Sequence, residues 1–142
     1  MEHDTRRSLE DVLDREIDAA RSLAATLAAE RTALTGDSPE AVEQKSAEKI
    51  QILGTIEKLE AERRDLWDTP GRGLAATVAE RWRALMDLMA GCRTANDVNG
   101  HIIHVRQHQV QQLIDIVRGG PAITYGPQGK TFAKALRALA RA

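Results

Sequence analysis

The chain has 142 residues, with 20 basic and 21 acidic side chains for a formal net charge of -1, and only 3% of it is aromatic. That length fits one domain, and near-neutral charge with few rings excludes both a polyanion-seeking field and a base-stacking platform, so nucleic acid is not an expected partner. The polar start Met1-Glu2-His3-Asp4 and the want of any long apolar run predict a cytoplasmic protein with no direct membrane insertion.

From Thr5 onward, Leu9, Leu13, Ile17, Ala20, Leu23, Leu27 and Leu34 recur every three or four residues, which predicts a first amphipathic helix over about 5–35. Gly36 is expected to end it in the left-handed conformation that glycine adopts cheaply. Ser38 then serves as N-cap, with Pro39 in the first turn and Glu40 at the positive end of the dipole. The short turn sends a second helix, over about 39–67, back along the first, with Val42, Ile50, Leu53, Ile56, Leu59, Leu66 and Trp67 at helical spacing.

The run Asp68-Thr69-Pro70-Gly71-Arg72-Gly73 breaks that helix and makes a second bend, and Trp67 and Trp82 on its two sides are expected to pack together. A third helix follows over about 74–118. Its stripe of Val78, Trp82, Leu85, Met89, Cys92, Asn96, Asn99, Ile103, Arg106, Val110, Leu113 and Val117 alternates steps of four and three without a phase shift. Asn99-Gly100 in isolation suggests a hairpin turn, but the unbroken phase carries the helix through it. Cys92, on this stripe and without an activating neighbour, reads as a small buried hydrophobe and not as a nucleophile.

Asp97, His101, His104 and His108 share one helical face, on the side opposite the apolar stripe, with no further ligands to close a metal site, so neither metal nor cofactor is expected. Asn96 and Asn99 stand on the stripe itself, where a buried amide lowers stability but discriminates between registers; Gly100 beside them adds a helix-propensity cost of about 1 kcal/mol. Wet tolerance at the end of a bundle explains the same three residues equally well.

Gly119-Gly120-Pro121 stops the third helix, and Thr124-Tyr125-Gly126-Pro127-Gln128-Gly129 forms a compact turn. Phe132, Leu136 and Leu139 supply a last short apolar face. The fold expected is all-α: an elongated antiparallel three-helix bundle over 1–118 with one long third helix. Residues 119–142 follow as a Gly/Pro turn and a basic amphipathic segment, a short C-terminal helix whose order before binding the sequence leaves open.

A second helix near 43 Å cannot cover a third near 66 Å at about 1.5 Å per residue, so the third should end in an unpartnered apolar stripe. Ile103, Val110, Leu113 and Val117 form that stripe, and with Phe132, Leu136 and Leu139 they are the expected protein-binding residues. Its occupant is the chain's own tail, a second copy or a client helix.

The pair Asn96-Asp97-Val98-Asn99-Gly100-His101-Ile102-Ile103 and Tyr125-Gly126-Pro127-Gln128-Gly129 resembles the two motifs of the FlgN family, with Ile102 where the family has leucine as the one departure. The resemblance implies no enzyme and no cofactor. It implies instead a cytosolic type III export chaperone that binds the C-terminal helical region of hook-filament junction proteins (hook-associated proteins), prevents their premature assembly and delivers them to the flagellar export gate. In that setting Tyr125, with Gly126 and Gly129 shaping its turn, suits docking to the gate, while packing of the ring against the third helix accounts for it equally. A generic helical adaptor or a homodimeric coiled coil is the competing reading.

Overall fold

The structure, a computed structural model, describes residues 2–67 and 75–119. Three helices account for nearly all of them: α1 (Glu2–Thr35), α2 (Pro39–Trp67) and α3 (Ala76–Val117). No strand occurs among the described residues. At about 1.5 Å per residue, α1 measures near 51 Å, α2 near 43 Å and α3 near 63 Å. The chain divides into two compact units, residues 1–96 and 97–142, and the division falls inside α3.

The turn between α1 and α2 shows how local chemistry sets the first bend. The Ser38 hydroxyl accepts the Ala41 amide at 3.2 Å, satisfying one of the donors that the first helical turn leaves open. Gly36 departs from expectation. The one positive φ among the described residues is at Gly119, 72°, so Gly36 does not take the left-handed conformation. Its amide instead donates to the Ala33 carbonyl at 3.2 Å, a tightened last turn that, with the Ser38 cap two residues on, reverses the chain without a left-handed residue. At the end of α3, Gly119 does take the left-handed cap, and its amide reaches the Ile116 carbonyl at 3.0 Å.

Within the 1–96 unit the apolar stripes meet in two clusters. Leu9, Leu13, Ile17 and Ala20 of α1 pack with Val78 and Leu85 of α3, and Trp67 and Trp82 close over them with ring centroids 5.1 Å apart and planes tilted by 50°. Further along, Leu23 and Leu27 meet Cys92, with Ile52, Ile56 and Ala95 against them. Each leucine, isoleucine or valine among them contributes about 1.5–3 kcal/mol when fully buried. Cys92 is a free, buried thiol whose Sγ lies 3.5 Å from the Ala20 carbonyl, and burial raises its pKa above the ordinary 9.0.

Two acids interrupt this apolar seam. Glu16 and Glu30 are both buried. Arg63 donates to Glu16 at 2.9 Å and also lies over the Trp82 ring at 4.6 Å. Lys49 meets the two Glu30 oxygens at 3.0 and 3.3 Å, while Ser46 donates to Glu30 at 3.1 Å. Partners thus move down α2 as they move up α1. Between α1 and α3 the order runs the same way in both, with Thr77 on Glu10, Arg81 on Asp14 at 2.8 Å and Arg31 on the Ala95 carbonyl at 3.4 Å.

Candidate functional site

α3 is unbroken through Asn99-Gly100, as its phase predicts. A Cβ at Gly100 would meet no atom of the described residues within 4 Å, so none of them requires a glycine there. The two asparagines of the stripe part company. Asn99 is fully buried, whereas Asn96 is exposed and its side-chain oxygen accepts from Lys49 at 3.1 Å, extending the Glu30 network on to α3.

Beyond Asn99 the stripe turns outward. Ile103 is half-buried, but Val110, Leu113 and Val117 are exposed by 55, 59 and 85%. Ile114, which the stripe did not include, joins them at 38%. Four branched aliphatic side chains within two turns make a patch that water solvates poorly, the kind of surface that marks a binding site more often than an idle one. Asp97, His101, His104 and His108 are exposed as well, and no cluster of three or more potential metal ligands occurs among the described residues.

Phe132, Leu136 and Leu139, together with Tyr125, Gly126 and Gly129, lie outside the described residues. The structure therefore places Ile103, Val110, Leu113 and Val117 on one helix and leaves the tail half of the expected site unaddressed.

Two features escaped the sequence reading. Glu16 and Glu30 complete the alternation 9, 13, 16, 20, 23, 27, 30, 34 along α1, so their phase alone marked them as seam residues. On α3, Met86 and Arg93 stand beside the core stripe on either side of Met89, and these three residues border an open hollow in the 1–96 unit.

No helix among the described residues is long and apolar enough to cross a membrane. Comparison with known proteins adds one finding: the family model described as FlgN protein matches residues 1–132. No curated protein and no solved structure matches the chain.

Proposed function

The chain belongs to the FlgN family of flagellar export chaperones, and from that premise we propose that it works in the cytoplasm as the type III export chaperone of hook-filament junction proteins. It binds their C-terminal helical region, keeps them from assembling early, and delivers them to the export gate. The family is one of chaperones and not of enzymes.

The observation that carries this reading is the exposed patch Val110, Leu113, Ile114 and Val117 at the end of α3. A client helix that has not yet met its assembly partners carries an apolar face that must be covered. The patch offers that face a substitute neighbour, and each side chain it buries there gains up to about 1.5–3 kcal/mol before the ordering costs of association. Phe132, Leu136 and Leu139 enlarge the same surface in this reading. Tyr125, with Gly126 and Gly129, is the contact to the gate. The scaffold of the 1–96 unit is an antiparallel three-helix bundle in this reading, and the descending pairs Glu16–Arg63 and Glu30–Lys49 together with the ascending pairs Glu10–Thr77 and Asp14–Arg81 support it.

Calorimetry with a peptide spanning the C-terminal helix of a hook-filament junction protein tests the proposal. Saturable binding is expected, weakened by Leu113→Asp and by Leu136→Asp. Absence of binding near 100 μM, weaker than about -5.5 kcal/mol, would sink it. A mass that rises with concentration and is reset by Leu113→Asp would instead assign the patch to a second copy.

A further inference from the structure

The 1–96 unit carries a second apolar surface, on different residues from the α3 patch. Between α2 and α3 lies an open groove of about 590 Å³, with Leu23 and Leu27 of α1 and Cys92 at its base. Leu53 of α2 and Met86 and Met89 of α3 form its sides. The base residues are buried, but Leu53 and Met86 are exposed by 42 and 39%, so apolar surface continues from the core to solvent. On α3 the lining runs from Met86 to Asn96, a length of about 15 Å, which matches about three turns of an added helix with anchors at i, i+4 and i+7. Methionine suits such a surface because its unbranched, polarizable side chain adapts to the shape laid on it.

Charge narrows the occupant. Lys49 and Arg93 line the groove, and among the described residues no acidic side chain does. Lys49 is committed to Glu30 and Asn96. Arg93 is exposed and has no ion-pair partner among the described residues. A cation on the rim of an apolar groove selects a partner with an acid beside its apolar stripe and disfavours one with a base there.

We propose that the α2–α3 groove is a docking site for an amphipathic helix of a partner protein, its apolar stripe seated on Leu53, Met86 and Met89 and an acidic side chain beside that stripe facing Arg93. The site stands whether or not the α3 patch takes a flagellar client.

The test uses the full chain and two fluorescent synthetic helical peptides that share one leucine stripe, flanked by glutamates in one and by lysines in the other. Anisotropy should show the glutamate peptide binding at least about tenfold more tightly. Leu53→Asp and Met86→Asp, at exposed positions where the fold tolerates a charge, should abolish that binding, with helix content by circular dichroism unchanged. Arg93→Glu should reverse the peptide preference, and Leu113→Asp should leave it untouched. Equal affinity for the two peptides, indifference to Leu53→Asp, or loss on Leu113→Asp alone would overturn the proposal. So would a dimer of the free chain that Leu53→Asp dissolves, since the groove would then belong to a second copy. None of these results bears on the junction-protein peptide, whose binding is read out separately through Leu113→Asp.

Discussion

Glu16 brings a carboxylate into the seam between α1 and α2, and the balance of forces on it is legible in its proton affinity. Burial raises its pKa above 4.5 and outweighs the opposing pull of Arg63, so the ionised pair is held at a net expense. A raised folded-state pKa contributes stability that is fully present below 4.5 and lost as pH rises through the shifted value. The stability difference between wild type and Glu16→Gln should therefore fall over that window, as urea titrations at a series of pH values would read. Removing one partner is a different matter: Arg63→Met should cost about 3–5 kcal/mol, and adding Glu16→Leu should recover most of it. What such a pair supplies is alignment. Sliding α2 by one heptad to set Glu16 against Ile56 would also set Glu30 against Val42, leaving two buried acids without cations.

At the scale of the element, the helix ends separate into those fixed by side-chain chemistry and those fixed by backbone conformation. Ser38→Ala should destabilise by about 1 kcal/mol, because the Ala41 amide loses its acceptor. Gly36→Ala should be neutral or stabilising by up to about 1 kcal/mol, since its φ is not positive and an added Cβ meets only the Thr32 and Ala33 carbonyls at 3.5 and 3.6 Å. Gly119→Ala should cost stability at the end of α3, where φ is 72°. Thermal melts of the three variants would test the ordering. The presence and order of the three helices, the passage through Asn99-Gly100 and the Trp67–Trp82 contact were legible, because a hydrophobic period survives weak local signals. The conformation of Gly36 was not, since a glycine after a helix is compatible with either cap. Nor was the burial of Glu16 and Glu30: a charged residue on a seam looks like a gap in the stripe until its partner on another helix is known.

Over the whole molecule, the described residues divide by depth of burial. Among the described residues none after Asn99 is buried, while the part of α3 before it holds Val78, Leu85 and Cys92 in the core. Hydrogen exchange should therefore protect the amides around 82–95 far longer than those around 106–117, although both lie on one continuous helix. Uniform protection along α3 in the free chain would mean that the exposed patch is covered in solution. The exposure of Val110, Leu113 and Val117 was legible in the α3 stripe, since α3 is longer than α2 and the stripe continues to its end. The α2–α3 groove was not, because a row of apolar side chains does not reveal which of two neighbouring helices it touches or misses. The paired charges of α1 and α2 also constrain how this chain can change by descent. The intervals from 16 to 30 and from 49 to 63 are both two heptads, so the four positions behave as one inherited character. A sign change at one of them leaves a like-charged pair in the seam, and a compensating change on the other helix removes that cost.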